Sequence, residues 1–251
     1  MEQIRTWLQA NKLSLNVSKT QYIIFTTNKR NVPDLDIKID GVKIDRVYST
    51  KFLGVQIDSK LHWHLHVNYI SKKLSKCTGI LYKAKKILNS DSLRNLYNTL
   101  AYPYLIYCNL VWGNTYQIHL NKLLKIQKKF LRLINNNKDE QDSKLLFKKF
   151  KLLDINQIYF YLVSIFMYKY MLNILPSNFD GMFRHLSQNH EYSTRQINDL
   201  IIPVCRFDIS RRSIRNQGVV VWNQIYNIAL LFNSLDLFKK HIKNCLIYDL
   251  L

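Results

Sequence analysis

The N-terminal part of the chain combines one helical pattern with several short strand-like runs. We predict the end of an amphipathic helix at residues 1–11, where apolar positions recur at helical spacing. Its apolar face carries Ile4, Trp7 and Leu8. Asp40-Gly41 is a strong two-residue hairpin turn. We predict three or four antiparallel strands beside the helix, formed from the runs at 21–27, 35–39, 42–44 and 48–57.

After Asp58 the apolar positions follow helical rather than strand periods. We expect Pro103 to kink or split a helix that starts at Ser92 behind a Ser90-Asp91 cap and ends at Trp112-Gly113. A further strand candidate is Leu200–Phe207, inside a loop-like stretch at 188–213. The pattern predicts an α+β chain that is mostly helical, with the other helices at about 62–88, 117–133, 142–152, 155–174, 217–230 and 234–248.

Charge narrows the class of partner. The formal net charge is +20 with an isoelectric point near 9.8, and a balance this basic attracts polyanions, of which nucleic acid is the most common. Between Ser59 and Lys138 the sequence holds fourteen Lys or Arg and one acid, Asp91. Such a surface suits a phosphate backbone, although charge runs are often only a solvated helix face. A basic protein without a polyanion partner stays open as an alternative.

Ten basic residues form the predicted binding surface. They lie on two predicted helices, and in the second helix they face away from an apolar stripe. The candidates are Lys72, Lys73, Lys76, Lys83, Lys85 and Lys86 on the first helix, and Lys122, Lys125, Lys129 and Arg132 on the second.

Aromatic residues are interleaved with these cations. A few could stack on unpaired bases, but most recur at helical spacing and are expected in the core. The aromatic candidates are Tyr82, Tyr97, Tyr102, Tyr104, Tyr107, Trp112 and Tyr116.

Other chemistries receive less support from the sequence. His62 and His66 share a helical face, but no third ligand stands nearby, so we predict no metal site and expect His66 to pack or form hydrogen bonds. The four cysteines form no C-x-x-C pair and are expected as buried free thiols of an intracellular protein, cytoplasmic or nuclear. We expect no signal peptide, because Met1–Ala10 carries Glu2 and Arg5 and lacks an apolar run. We expect no membrane partner, because the apolar stretch 158–175 fits a core helix better than a bilayer span.

Three motifs occur in a fixed order near the N-terminus. They are N-x-x-K-T at Asn16–Thr20, F-L-G at Phe52–Gly54, and L-x-W-x-x-H at Leu61–His66. Their order resembles the region after the catalytic aspartates in reverse transcriptases of non-LTR (LINE-like, jockey-like) retrotransposons. Residues from Tyr192 onward resemble the C-terminal ends of the same elements, with Thr194-Arg195, Arg211-Arg212, Gly218-x-x-x-Trp222-Asn223 and Phe238-Lys239-Lys240.

The resemblance implies an architecture and roles. It implies a palm remnant with a primer-grip-like hairpin at 1–58, a basic helical thumb at 59–137 and a helical C-terminal extension at 138–251. Lys19 would be the palm-motif general acid of the intact enzyme, since an ammonium can donate a proton or hold a phosphate. Phe52, Leu53 and Gly54 would approach the primer, and a glycine within a strand permits close backbone approach.

Catalysis in that family depends on carboxylates that hold two metal ions. This sequence contains no adjacent Asp-Asp pair, and before Asp34 its one acid is Glu2. We therefore expect no polymerase activity from this chain alone, no cofactor, and Mg²⁺ only in the full-length family enzyme. The expected partners are RNA, an RNA–DNA or DNA duplex, and a missing upstream polymerase half. Two alternatives stay open: a non-catalytic binding protein derived from a retroelement, and a degraded reading frame without selected function.

Overall fold

A computed structural model describes residues 2–26, 33–39, 41–135, 142–186 and 199–250. The chain divides into two compact units, Met1–His66 (unit 1) and Val67–Leu251 (unit 2). Unit 1 contains one helix and short strands, whereas unit 2 is helical throughout most of its described length. The prediction of a mostly helical α+β chain is confirmed at that level.

Unit 1 begins with helix α1, Glu2–Ala10, and continues through six short strands. The strands are β1 Gln21–Tyr22, β2 Lys38–Ile39, β3 Val42–Lys43, β4 Asp45–Arg46, β5 Ser49–Phe52 and β6 Val55–Asp58. The pairs β2–β3 and β5–β6 are antiparallel, but β1 and β4 pair in parallel. The all-antiparallel prediction was therefore wrong for β1, because the partner of a strand is set by long-range packing. Gly41 has the positive φ that the β2–β3 turn requires, and Asp40 lies outside the described residues.

Unit 2 consists of successive helices, and its longest connection is residues 172–207 between the eighth and ninth helices. Helix α2 starts just before the boundary between the units, and the rest lie within unit 2. They are α2 His64–Ala84, α3 Ser90–Leu100, α4 Tyr102–Ile106, α5 Asn109–Trp112, α6 Gln117–Asn135, α7 Ser143–Phe150, α8 Ile155–Met171, α9 Asp208–Arg212, α10 Ile214–Ala229 and α11 Leu235–Tyr248.

Helix α8 is the centre of unit 2 and packs against α4, α5, α6, α10 and α11. It begins with a capping box, in which the Asp154 side chain accepts from the N–H of Gln157 and the Gln157 side chain accepts from the N–H of Asp154. Tyr168 stacks on Phe238 of α11 with ring centroids 4.1 Å apart. Gly218 of α10 lies so close to Met167 that a Cβ would collide with the Met167 sulfur.

Several C-terminal predictions hold. Trp222 and Phe238 are buried, as expected of core anchors. The apolar stretch 158–175 largely coincides with α8, a core helix. Within the described residues, no single helix is long and apolar enough to cross a bilayer, although the bent pair α7–α8 meets that test jointly.

The predicted helix from Ser92 to Trp112 is three helices. Asn89 rather than Ser90 caps α3, accepting from the N–H of Ser92 at 2.9 Å. The chain then breaks at Ala101, and Pro103 occupies the first turn of α4, where its missing N–H costs no hydrogen bond. Gly113 is in a right-handed conformation, so the C′ prediction was wrong, and its Cα instead packs closely against Tyr159.

The connection before α10 also differs from the prediction. Leu200 forms only an isolated antiparallel bridge with His185, and no strand runs through the described residues 201–207. Asp208–Arg212 forms helix α9 inside the stretch that was predicted to be a loop. A single turn with Asp208 at its start and two arginines at its end is too short to give a periodic pattern.

Candidate nucleic-acid interface

The N-x-x-K-T motif folds as a capped turn in unit 1. The Asn16 side chain accepts from the N–H of Lys19 at 3.2 Å and from the Ser18 hydroxyl at 2.7 Å. The Thr20 hydroxyl donates to the Asn16 carbonyl at 2.9 Å. These hydrogen bonds account for the Asn and the Thr of the motif, because Asn16 and Thr20 cap the two ends of the 3₁₀ turn Val17–Lys19. Lys19 is left with its side chain exposed, and its role in the intact enzyme stays a prediction.

The F-L-G motif is the tip of the β5–β6 hairpin. Phe52 pairs with Val55, so Leu53 and Gly54 form a two-residue loop. Both have positive φ, +45° and +84°, as in the type I′ turns that match strand twist. Gly54 is therefore a turn residue, and the prediction of one strand through 48–57 was wrong. The side chains of Phe52 and Leu53 are 60% and 73% exposed at this tip.

A buried carboxylate organises the segment that follows the hairpin. Asp58 accepts from the backbone N–H groups of Lys60, His62 and Trp63 at 3.0–3.1 Å. Leu61 and Trp63 both have positive φ, which non-glycine residues rarely adopt, and these hydrogen bonds stabilise that path. The role of Asp58 was not predicted from the sequence, because Leu61 and Trp63 are not residue types that indicate a left-handed conformation.

His66 confirms its predicted structural role. Its Nδ1 accepts from the N–H of Gln56 in β6 at 3.3 Å, which joins the first turn of α2 to the hairpin. Burial lowers the pKa of His66 to about 4, so the ring is neutral at pH 7. Among the described residues, no group of three His, Cys, Asp or Glu side chains is placed to hold a metal ion.

Helix α2 carries a basic stripe. Lys72, Lys76 and Lys83 are four and seven residues apart, which places them on one helical face, and all three are exposed. Gly79 lies on the same face, between Lys76 and Lys83. A Cβ at Gly79 would meet no protein atom within 4 Å, so the protein does not require a glycine here for packing. The stripe therefore includes one point where the helix backbone itself is open to a ligand.

The other cations of this region are placed differently. Lys85 and Lys86 follow the end of α2 at Ala84, so the prediction that they lie on the helix was wrong. The Lys73 ammonium lies 5.6 Å from the Tyr69 ring centroid, and Lys85 lies 5.7 Å from that of Tyr82. Such cation–π contacts keep the stems folded along the helix while leaving the charge available.

Helix α6 carries a second basic row. Lys122, Lys125, Lys129 and Arg132 recur at spacings of three or four residues, and all are exposed. The Lys122 ammonium donates to the Asn68 side chain of α2 at 3.2 Å, so this row meets α2 at one end. None of the ten predicted cations has a carboxylate within 4.0 Å among the described residues. No described carboxylate therefore neutralises their charges.

The aromatic candidates divide into core and surface. Tyr97 and Trp112 are buried, and the Tyr97 hydroxyl accepts from Gln127 at 3.0 Å. Tyr102 is largely enclosed, and burial raises its pKa to about 12. Tyr82 and Tyr107 expose more than half of their surface, and Tyr116 is 40% exposed although Arg212 stacks on its ring. The expectation that most of the set is core is met only in part.

The cysteines and the C-terminal motif complete the predicted residues. All four cysteines are free, but Cys77 and Cys245 alone are buried, so the prediction of four buried thiols was wrong for Cys108 and Cys205. Tyr192, Thr194 and Arg195 lie outside the described residues. Arg211 ends α9 together with Arg212, and Lys239 and Lys240 are in α11.

Arg212 has contacts that sequence reasoning missed. Its guanidinium stacks on Tyr116 at 3.7 Å from the ring centroid and pairs with Asp208 at 3.0 Å. Asn114 donates to the Arg212 carbonyl at 3.3 Å. These contacts join α9 to the start of α6. No local sequence signal identifies a contact between residues about a hundred positions apart.

Comparisons with known proteins give one consistent result. Over 139 residues, 54% of the chain, it is 27% identical to the RNA-directed DNA polymerase from mobile element jockey of Drosophila funebris. Over 132 residues it is 28% identical to the probable RNA-directed DNA polymerase from transposon X-element of Drosophila melanogaster. The aligned parts cover 15% and 14% of those proteins. No protein-family model and no solved structure matches the chain.

The aligned share of this chain is about half, at 54% and 51% for these two relatives. Both relatives are named as polymerases of mobile elements, the class to which the three ordered motifs pointed. The resemblance predicted from the sequence is therefore confirmed: the chain is similar to a part of the reverse transcriptases of jockey-like, non-LTR retrotransposons.

Proposed function

We propose that this chain is a reverse-transcriptase fragment whose task is to hold a nucleic-acid duplex. The observation that carries the proposal is the pair of exposed cation rows on α2 and α6, which have no neutralising carboxylate among the described residues. Lysine and arginine at helical spacing neutralise successive phosphates and release counterions. Because the relatives are named as RNA-directed DNA polymerases, the proposed ligand is a template–primer duplex, either of RNA and DNA or of DNA alone.

The other roles belong to the same proposal. Residues 1–58 correspond to the end of a palm, 59–137 to a thumb and 138–251 to a C-terminal extension. Lys19 acts near the nucleotide phosphates, and the 52–54 tip approaches the primer. The metal-binding carboxylates must come from another part of the enzyme, since this sequence contains no Asp-Asp pair to hold the two Mg²⁺ ions of nucleotidyl transfer. We propose that the chain alone does not polymerise DNA and that it acts inside the cell.

An upstream polymerase half is the proposed protein partner. Helix α1 presents Ile4 and Trp7 to solvent, at 54% and 61% exposure, although both lie on the apolar face that its sequence pattern predicts. An amphipathic helix stabilises a fold by burying that face. A partner that covers it is expected from the length of the relatives, of which the aligned part is 15% or less in these two cases.

Salt dependence tests the binding claim directly. A surface that contacts about six phosphates loses roughly a thousandfold in affinity between about 50 and 200 mM salt. We expect a labelled RNA–DNA duplex to bind with that dependence. The triple reversal Lys72→Glu, Lys76→Glu, Lys83→Glu should lower affinity by at least about a hundredfold for all sequences and make the salt slope shallower by about three.

A matched triple separates a local surface from net charge. Lys144, Lys240 and Lys243 are exposed lysines of α7 and α11, so their reversal to Glu changes the total charge equally. We expect this control to retain most of the affinity and the full salt slope. Equal losses in both triples would show that only the overall charge matters, and the proposed interface would be wrong.

The non-catalytic alternative makes a different prediction. If the chain was retained for binding alone, adding a jockey-type upstream half with its carboxylates should not restore synthesis. Primer extension by the two halves together, with Mg²⁺ and deoxynucleotides, would support the proposal that this chain is one part of a polymerase. Extension by this chain without the other half would contradict both.

A further inference from the structure

Unit 2 contains a cleft that lies outside the two basic rows. Its volume is about 460 Å³, within the range of small-ligand sites. Three segments form it: the turn before residue 186, the extended residues after Leu200, and the first half of α10. The residues that line the cleft include Met182, Phe183, Arg184, Ile201, Pro203 and Arg215.

The walls of the cleft are fixed by hydrogen bonds. The N–H of Ile201 donates to the Arg184 carbonyl at 2.8 Å. The Asn223 side chain of α10 both accepts from and donates to the backbone of Leu200, at 3.0 Å each. Phe183 meets Tyr170 edge to face, with ring centroids 4.8 Å apart. A site held in this way keeps its shape without a ligand, which lowers the entropic cost of binding.

Two arginines contribute the charge of the cleft. Arg184 and Arg215 are exposed residues from different segments, and neither has a carboxylate within 4.0 Å among the described residues. Other arginines of this fold are paired, such as Arg46 with Asp34 and Arg212 with Asp208. A guanidinium is planar and binds phosphate through two parallel N–H bonds. The apolar lining beside it suits the flat face of a base rather than a second charge.

We propose that this cleft binds one unpaired nucleotide of a single-stranded nucleic acid. The phosphate contacts Arg184 and Arg215, and the base lies against Ile201 and Pro203. The proposal rests on the proposed function, because the strand is the single-stranded extension of the duplex that α2 and α6 hold. The cleft adds a second contact, which recognises unpaired nucleotides, whereas the basic stripe of α2 recognises a phosphate backbone.

The double variant Arg184→Gln, Arg215→Gln tests the cleft in the full chain. The affinities to measure are those for a labelled oligothymidylate of about twelve nucleotides and for a blunt-ended duplex that contains no unpaired nucleotides. The double variant should lose about tenfold in affinity for the single strand and less than about twofold for the duplex. Arg206→Gln is the control, since Arg206 is an exposed arginine outside the cleft lining, and it should leave both affinities nearly unchanged.

An abasic strand of equal length tests the contact with the base. It should bind the unaltered protein several-fold more weakly than oligothymidylate, because a stacked base contributes to affinity on its own. It should still lose about tenfold in the double variant, because it keeps the phosphates that the two arginines contact. An oligoglutamate that displaces the single strand as effectively as oligothymidylate would show an unspecific anion site and overturn the proposal. Equal losses for single strand and duplex in the double variant would also overturn it, while leaving the lysine stripe supported.

Discussion

At the scale of single residues, several residue types stand at positions whose backbone conformation they do not favour. Leu53, Leu61 and Trp63 have positive φ, and Gly79 interrupts the middle of a long helix. Hydrogen bonds from Asp58 stabilise the path of Leu61 and Trp63. No such internal reason exists for Gly79, since the space around it is empty. Glycine in a helix costs about 1 kcal/mol relative to alanine, and the proposed ligand is what would offset that cost.

The variant Gly79→Ala separates stability from binding. The added methyl group meets no protein atom, so we expect the free energy of unfolding to rise by about 1 kcal/mol. Duplex affinity should fall, because the methyl group stands where a phosphate backbone would approach the helix. Thermal denaturation and a binding titration measure the two effects. Ser75→Ala on the same helix is the control and should leave affinity unchanged; unchanged affinity in Gly79→Ala would refute close backbone approach.

His66 predicts how stability depends on pH. Its folded pKa of about 4 lies below the ordinary value of 6.5, so between those values the unfolded chain binds more protons than the folded one. The contribution of neutral His66 is therefore complete above about pH 6.5 and is lost as pH falls toward 4. His66→Asn keeps an acceptor near Nδ1 but does not titrate. Urea denaturation at several pH values should show a smaller acid loss in this variant than in the unaltered protein.

At the scale of elements, strong periodicity and caps decided which predictions held. The helices α6, α8, α10 and α11 were predicted to within a few residues, because each contains many apolar positions over a long run and Pro176 follows the end of α8. The parallel pairing of β1 with β4 could not be predicted, since two-residue strands carry no register signal. The resemblance implied a hairpin in this region, but the apolar pattern predicted one strand through 48–57, because leucine is an unusual residue at a left-handed turn position.

The β5–β6 turn gives a test at this scale. Type I′ turns favour Asn-Gly, so Leu53→Asn should raise the free energy of unfolding by about 0.5–1 kcal/mol. The exposed leucine side chain would be lost at the same time. If the tip contacts the primer, affinity for a template–primer should fall while affinity for the single strand stays constant. Val42→Asn, at another exposed apolar strand position, controls for lost apolar surface.

Helix α6 also depends on one buried polar group. The Gln127 side chain donates to the Tyr97 hydroxyl at 3.0 Å and to the Leu153 carbonyl at 3.2 Å. Gln127→Ala should lower the free energy of unfolding by about 2–3 kcal/mol, because it leaves buried partners unsatisfied and opens a cavity. Chemical denaturation measures this loss. Gln117→Ala at the exposed start of α6 should cost less than about 0.5 kcal/mol, and equal costs would contradict the network.

At the scale of the whole molecule, the two units differ in how much they bury. The described part of unit 1 buries the apolar residues Ile39, Ile44 and Val55, whereas unit 2 buries an extended set around α8. Burial of apolar surface is the main source of stability. The cation rows could be predicted from composition and spacing. The cleft at Arg184 and Arg215 could not, because its walls come from segments that are distant along the chain.

Limited proteolysis tests this difference between the units. We expect trypsin to cut unit 1 first and to leave a resistant fragment that begins near α2, even though unit 2 contains many lysines and arginines. Local opening requires little free energy where few apolar contacts are lost. Mass spectrometry of the early fragments identifies the sites. Early cuts inside α8 or α10, with residues 1–58 intact, would be the contrary result.

The strands of unit 1 have one more consequence. Each of its three sheets has two strands among the described residues, so every strand keeps one side whose backbone N–H and C=O groups lack a neighbouring strand. Such a side can add a strand from another chain. We expect oligomers to appear as the concentration of the purified chain rises, held by added strands despite the repulsion between strongly cationic molecules. Ser49→Pro should suppress them, because the N–H of Ser49 lies on the side of β5 that faces away from β6. Added salt should promote them by screening that repulsion.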